Sequence, residues 1–294
     1  MNEPDDGSDN KATHERAALA AQVGLDAQGR ITRISDTAAH RLGSFPGHLI
    51  GRSLAEVALE ARDAAMADVE SLAYAISHDL RAPLRHLQGF ASLLKSEAGE
   101  RLDQEQKHYL DVMGNASKRM GSMIEAVLEV SRIQRASLRH QPADMLSMVR
   151  EGIARAEASE PGRRFEWKVD DLLPITGDRA LLRQLWGLLL ANAVKFTRGR
   201  DRAIVDIRST RRDPVIEYSV RDNGAGLEQA YVGKLFTLFQ RLHTDSEFPG
   251  LGTGLALASR IVARHGGTMR IEGETGVGAC VTFTLPARDT GQAR

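Results

Sequence analysis

The chain reads as an α+β protein in which a long two-helix hairpin, expected to pair with a second copy into a four-helix bundle, precedes an α/β sandwich. Three observations predict this. From Met66 to Val130 apolar residues recur at alternating spacings of three and four, the run Ala98-Gly99-Glu100 interrupts them once, and beyond Pro142 the pattern switches to short alternating strands interleaved with helices.

A length of 294 residues leaves room for about two domains beside a long helical element. Hydrophobic residues make up 42% and charged residues 27%, ordinary proportions for a chain that buries a core. Thirty-nine basic residues balance thirty-nine acidic ones, so no overall field draws the chain to nucleic acid or to an anionic membrane, and partners must be chosen by local surfaces. Cys280 is the single cysteine, which excludes an intrachain disulfide framework and a cysteine-built zinc site. No window approaches about 18 uninterrupted apolar residues, and Met1 to Arg16 is acidic and polar, unlike a signal peptide. The expectation is a cytoplasmic protein without direct membrane insertion.

Residues 1–18 lack apolar periodicity and read as a mobile tail. Residues 19–58 carry a strand, an Asp-Ala-Gln-Gly turn, a second strand and a short helix. They resemble the opening half of a PAS sensor domain; the helix and strands that would complete its pocket have no space before the next element, so the segment is expected to be a vestigial cap or a small dimer contact. From about Leu59 the heptad seam Met66, Val69, Ala73, Ile76, Leu80, Pro83, Leu87, Phe90, Leu94 defines the first long helix. After the break, Tyr109, Met113, Ala116, Met120, Met123, Val127 and Val130 define the second, with Leu110, Ile124 and Leu128 widening the stripe. A two-helix hairpin buries little, so a homodimer is expected.

Beyond His140 the pattern predicts a helix near Met145 to Ala158, a strand near Phe165 to Val169 and a helix from Arg179 to about Phe196. Strands at Ala203 to Ser209 and Val215 to Arg221, a helix from Thr253 to His265, and paired strands at Thr268 to Glu272 and Ala279 to Leu285 complete one sheet covered by helices.

Two groups of residues carry chemistry. In the segment SHDLRAPLRHLQGF, His78 lies about 200° around the helix from Ile76 and is expected to face solvent. A lone His on a helix is usually a polar surface residue, but Asp79 beside it is an acid able to hold one ring nitrogen protonated and leave the other as a nucleophile. Pro83 removes a backbone donor and loosens the helix near Asp79. His-Asp-Leu-Arg-Ala-Pro-Leu is similar to the phosphoacceptor motif of HisKA-type sensor histidine kinases of two-component systems. The resemblance implies that residues 59–140 form a dimerisation and phosphotransfer domain, with His78 phosphorylated and Asp79 its general base. Where many members carry Thr or Asn four residues after the histidine, this chain has Ala82, which implies weak phosphatase activity.

In the second group, Asn192 and Lys195 share one face of a largely apolar helix; an isolated Asn there could equally be a core amide. Asp222-Asn223-Gly224-Ala225-Gly226 follows a strand and puts a carboxylate beside a tightly folding backbone, and Gly250-Leu251-Gly252-Thr253-Gly254-Leu255 opens a helix whose free N–H groups suit phosphate. With Phe236 and Phe239 between them, the ordered set resembles the N, first glycine, F and second glycine boxes of the histidine kinase ATP-binding domain, of the Bergerat or GHKL type, over residues 141–288. Residues 289–294 are left as a tail.

The resemblance implies ATP and Mg2+ as cofactors. Asp222 would accept the adenine amino group, Gly224 and Gly226 would line the base, Asn192 would bind the metal, and Lys195 would contact phosphate. Tyr231 to Pro249 would form a mobile lid, anchored by Phe236 and Phe239 and hinged at Gly250, Gly252 and Gly254, with Leu255 in the helix they open; the two phenylalanines could equally be plain core. Leu188 stands where members commonly carry another Asn, which implies weakened metal coordination and slow turnover. His86, His108, His140, His243 and His265 lack metal-ligand spacing and are expected at the surface or in packing, with His243 of interest for its place in the lid. Cys280 is expected in a strand facing the core.

The function implied is ATP-dependent autophosphorylation of His78 and transfer to an aspartate of a separate response regulator receiver domain. Two alternatives remain at this point: a catalytically weak dimeric scaffold that binds a response regulator, and a mechanical ATPase of the same superfamily, which would not need a His-Asp pair on a heptad helix.

Overall fold

The computed structural model describes residues 22–242, 244 and 247–287; the expected tails and His243 lie outside the described residues, as do the side chains at 59, 62–74, 78 and 230. The chain divides into two compact units, Met1–Ile76 and Ser77–Arg294.

In the first unit, strands β1 (Val23–Leu25) and β2 (Ile31–Ile34) pair antiparallel. The turn between them is the expected one: the Asp26 carboxylate accepts the N–H groups of Gln28 and Arg30 at 2.9 and 2.8 Å, and Gly29 takes a left-handed φ of 74° that its missing Cβ makes inexpensive. Two short helices follow, α1 (Asp36–Arg41), capped by Ser35, and α2 (Pro46–Leu49). Ile31, Ile34, Ala38, Ala39, Leu49 and Val57 close a small core of their own. Helix α3 (Leu54–Ala98) begins in this unit and ends in the second.

In the second unit, α3 from Ser77 onward and α4 (Gln104–Arg135) form the hairpin. A capping box at Asp103 and Gln106 starts α4, satisfying N–H groups that have no partner in the helix. Ion pairs Arg81–Glu125 at 2.7 Å and Lys95–Asp111 at 2.6 Å fix a constant antiparallel register. The residues hidden within one chain are Ser77, Leu84 and Ala91, seven apart, on α3, and Ser117, Ala126, Leu128 and Ile133 on α4. Part of the stripe that the apolar pattern picks out faces outward: Leu80, Leu87, Phe90 and Leu94 on α3, and Tyr109, Met113, Met120 and Val127 on α4, are exposed, Phe90 by 65%, whereas Leu128 of the same stripe is buried. Large apolar side chains are thus divided, Leu84 and Leu128 hidden and Leu80, Leu87, Phe90 and Leu94 left uncovered. Pro83 lies inside α3, which continues through it.

The sandwich holds a five-stranded sheet ordered β4 (Phe165–Val169), β6 (Ala203–Arg212), β7 (Val215–Asp222), β9 (Gly278–Pro286), β8 (Met269–Glu274), parallel only between β4 and β6. A separate pair of three-residue strands, β3 (Gln141–Ala143) and β5 (Ile175–Gly177), was not legible in the sequence. Helices α5 (Met145–Ser159), α6 (Arg179–Phe196) and α7 (Gly254–Arg264) supply the covering layer. Alternation does its work in β7, where Ile216, Tyr218 and Val220 point inward. In α6 the buried face is Leu182, Leu185, Trp186, Leu189, Leu190 and Ala193, the spacing of one helical stripe. Trp186 sits edge-on to Tyr218 and Phe283 at 6.0 and 5.4 Å, and these three large rings are fully buried.

The last turns of α4 belong to this core. Ile133 is 1% exposed within it, the Gln184 amide donates to Glu129 at 2.9 Å, and the Arg264 guanidinium donates to the Ala136 carbonyl at 2.5 Å. His265 is buried as expected of a packing residue: its Nε2 accepts the Asp178 N–H at 3.0 Å, its Nδ1 lies 2.8 Å from the Ile261 carbonyl, and burial lowers its pKa. That arrangement requires the neutral ring with Nδ1 carrying the proton. Cys280 is half-buried, and its sulfur lies 3.8 Å from the Thr282 hydroxyl.

Candidate nucleotide site

One cavity of about 260 Å³ opens between α6, the end of β7, the segment from 235 to 255 and the start of α7. Asn192, Lys195, Asp222, Gly226, Gly250, Gly252, Gly254 and Leu255, scattered over more than sixty residues of chain, all line it. Helix α6 delivers Asn192 and Lys195 from its last turns, half-buried, while Leu189 and Ala193 on the same helix are buried. The glycine run packs directly against them: a Cβ at Gly254 would lie 3.4 Å from the Asn192 amide, and one at Gly250 3.6 Å from the Lys195 ammonium.

The two ends differ in chemistry. At one, Asp222 ends β7; its Oδ1 accepts the Gly224 N–H at 2.8 Å. Burial pushes this carboxyl up to about 6, against the N–H groups of Gly224 and Ala279, which favour the ionised form. Gly226, at φ 71°, is pressed on the Glu274 carbonyl so closely that no side chain fits. At the other end stand two cations. The Lys195 ammonium lies 4.2 Å over the Phe196 ring, and burial, with Arg241 and Arg198 nearby, lowers its pKa. Leu189, Val220, Leu227, Ile271 and Val281 give the space between an apolar lining. An acceptor, an apolar slot and two cations in sequence suit a flat, donor-bearing ring attached to a polyanion.

Not every expected residue lines the cavity. Gly224 acts through its N–H on Asp222. Phe236 packs against the core, the plain reading of that residue, and Phe239 braces the glycine run, its N–H donating to the Gly252 carbonyl at 3.1 Å from a φ of 66° that is uncommon for a bulky side chain. His78 and Asp79 lie on α3; the His78 side chain lies outside the described residues, and Asp79 is exposed. Leu188 packs against the core and is not part of the cavity wall.

Phe196, Arg241 and Phe248 are among the lining residues to which the sequence reading gave no role in the site. Phe248 tilts against Phe196 with ring centroids 5.2 Å apart, and Arg241 donates to the Phe248 carbonyl at 2.7 Å. The adjacency of Phe196 to Lys195 was the available signal for the first; the other two come from an irregular segment whose path has no periodicity to read.

Among the described residues no three His, Cys, Asp or Glu side chains gather to hold a metal, and no helix is long and apolar enough to cross a membrane.

Residues 68–136 match the family described as His Kinase A (phospho-acceptor) domain, and residues 177–289 match the Histidine kinase-, DNA gyrase B-, and HSP90-like ATPase family. Phytochrome-like protein Cph1 of Synechocystis is 29% identical over 81% of this chain and 32% of its own length; cyanobacterial phytochrome B of Nostoc is 31% identical over 74% and 29%; the aerobic respiration control sensor protein ArcB of Escherichia coli is 28% identical over 84% and 32%. The chain thus spans about a third or less of these relatives. Full-length ShkA, crystallised in complex with AMPPNP, superimposes with a TM-score of 0.52 at 30% identity, over 74% of this chain and 45% of that one. The Acinetobacter baumannii histidine kinase AdeS shares the fold at a TM-score of 0.51 and 19% identity, over 72% of this chain and 98% of that one.

Proposed function

We propose that this chain, which joins a segment of the histidine phospho-acceptor family to one of the histidine kinase-type ATPase family, is a sensor-type protein histidine kinase that phosphorylates its own His78. The observation that carries the reading is the convergence of Asn192, Lys195, Asp222 and the glycine run on one cavity, in a chain whose other matched segment contains His78-Asp79. ATP fits that cavity by its chemistry: the adenine amino group donates to Asp222, Phe196 and the apolar lining take the ring, and Lys195 and Arg241 meet the phosphates.

In the reaction a His78 ring nitrogen attacks the γ-phosphorus in line, the bond to the ADP oxygen breaks, a nitrogen–phosphorus bond forms, and Asp79 takes the other ring proton. Positioning and charge neutralisation provide most of the acceleration, which is what Lys195 and Arg241 offer. Asn192, the amide lining the cavity, would hold Mg2+ brought in with the triphosphate, and the ion would supply neutralisation of phosphate charge. With Leu188 in place of a second amide, turnover is expected to be slow. The phosphoryl group then passes to an aspartate on a separate response regulator receiver domain. Ala82 makes the protein a poor phosphatase toward that partner, and dephosphorylation faster than the partner's own decay would contradict this.

The exposed stripe Leu80, Leu87, Phe90, Leu94 supports a homodimer through residues 59–140, with residues 141–288 as the catalytic domain and residues 19–58 as a partial PAS-like segment. A catalytically weak scaffold is the competing reading, favoured by Leu188 and the shortened PAS-like segment. Incubation with γ-labelled ATP and magnesium separates the two: acid-labile label on the parent that is absent from His78→Gln, with nucleotide binding intact, is the expected result. Failure of the parent to take up label would leave the scaffold.

A further inference from the structure

Arg200 stands just beyond α6, its N–H donating to the Thr197 carbonyl at 3.0 Å, and its side chain is not part of the cavity wall. The guanidinium, half-buried, spends its donors on main-chain oxygens. Nε donates to the Asn223 carbonyl at 2.7 Å, and one terminal nitrogen donates to the Gly224 carbonyl at 3.0 Å and to the Gly276 carbonyl. These acceptors belong to two separate stretches: the loop 223–226 that follows Asp222, and the turn between β8 and β9. The same stretches are knitted by the Gly276 N–H to the Ala225 carbonyl at 2.7 Å and the Ala225 N–H to the Phe196 carbonyl at 3.0 Å.

The loop needs such a clamp. Two of its four residues are glycines, which lose more conformational freedom on ordering than any other residue, and Gly226 adopts a left-handed φ. The Asn223–Gly224 peptide is held from both sides: its N–H, on Gly224, donates to the Asp222 carboxylate, and its carbonyl, on Asn223, accepts from Arg200 Nε. The direction of the carboxylate is set jointly by the Ala279 N–H on β9 and by the peptide that Arg200 grips.

We infer that Arg200 is a positioning residue for the base end of the nucleotide cavity, its planar fork clamping the Asn223–Gly226 loop to the β8–β9 turn so that Asp222 presents its carboxylate to the ring. The inference rests on the nucleotide reading above. Arginine is required by geometry: five N–H donors in a rigid plane reach three carbonyls at once, whereas a lysine ammonium gathers its three donors at one point.

The test uses the full chain, Arg200→Met and Arg200→Lys, thermal melting without ligand, and calorimetric titration with ATP, ADP and adenosine. Arg200→Met is expected to bind all three about tenfold more weakly or worse, by a common factor because the defect lies at the base end. Arg200→Lys recovers little of this. Guanidinium ion below its denaturing concentration restores part of the affinity of Arg200→Met and leaves the parent unchanged, a response that general loss of stability would not produce. Parental affinity in Arg200→Met, or a loss confined to ATP, overturns the inference. Should Arg200→Met fail to fold, Arg200→Lys decides: a common loss supports the clamp, and parental affinity overturns it. A parent that binds no adenine nucleotide removes the nucleotide reading and this inference together, whereas a binding parent with unaffected variants removes the inference alone.

Discussion

The hairpin and the sandwich solve the same problem with opposite means. The sandwich buries Trp186, Tyr218 and Phe283 completely and carries a core of its own. The hairpin hides Ser77, Leu84, Ala91 and Ser117 within one chain and leaves Leu80, Leu87, Phe90 and Leu94 in water. Burial of apolar surface is the main driving force of folding, so a helix pair arranged this way stores its stabilisation in a surface that only another molecule can cover. One region is complete as a single chain, and the other leaves an apolar face that the proposed second copy would cover.

The sharpest way to break this comparison is a charge in the outward seam. Phe90→Glu is expected to convert a dimer to a monomer in sedimentation and to remove cross-chain stabilisation of the helices, with the nucleotide domain melting as before. A parent already monomeric at micromolar concentration would defeat it. In the sandwich, Trp186→Ala should cost about 3–5 kcal/mol regardless of protein concentration, because the cavity it leaves lies inside one chain. A concentration-dependent loss there would blur the distinction.

A smaller effect separates stability from function within the sandwich. The Asp222 carboxyl is held near 6 in the folded chain against an ordinary value of 3.8, so the folded state binds a proton that the unfolded state has released between those values. Stability from this group is therefore present at low pH and is lost as pH rises through about 6. Asp222→Asn should raise stability above pH 6 by roughly 1–3 kcal/mol while removing nucleotide binding. In the parent, ATP affinity should fall as pH drops through about 6, since protonation turns the acceptor into a donor. Unchanged melting of Asp222→Asn at pH 8, or flat affinity between pH 5 and 7, would count against the buried carboxylate.

Much of the fold was legible because its elements are long enough to show a period. Strand Phe165–Val169 and helix Arg179–Phe196 fall where alternation and the 3.6-residue stripe put them. The β3–β5 pair was missed because three-residue strands have no period, and Pro142 argued against one. The hairpin was found, but not which of its apolar residues are hidden within one chain; periodicity shows that a stripe must be covered and is silent on which neighbour covers it. In the site, Asn192, Lys195, Asp222, Gly226, Gly250, Gly252 and Gly254 line one cavity, and Gly224 does not. Phe248, Arg241 and Arg200 did not announce themselves, since each acts from a segment whose course depends on distant backbone.

The amino-acid sequence by itself determined the order of hairpin and sandwich, the longer helices and strands and the ordered set of nucleotide-site motifs, because these depend on side chains close together along the chain. Only the tertiary structure decided which faces of α3 and α4 are hidden, that the end of α4 joins the sandwich core, and that Arg200 clamps the loop beside Asp222. Those outcomes turn on which surfaces meet across long stretches of chain, where packing and carbonyl positions rather than local pattern set the energy.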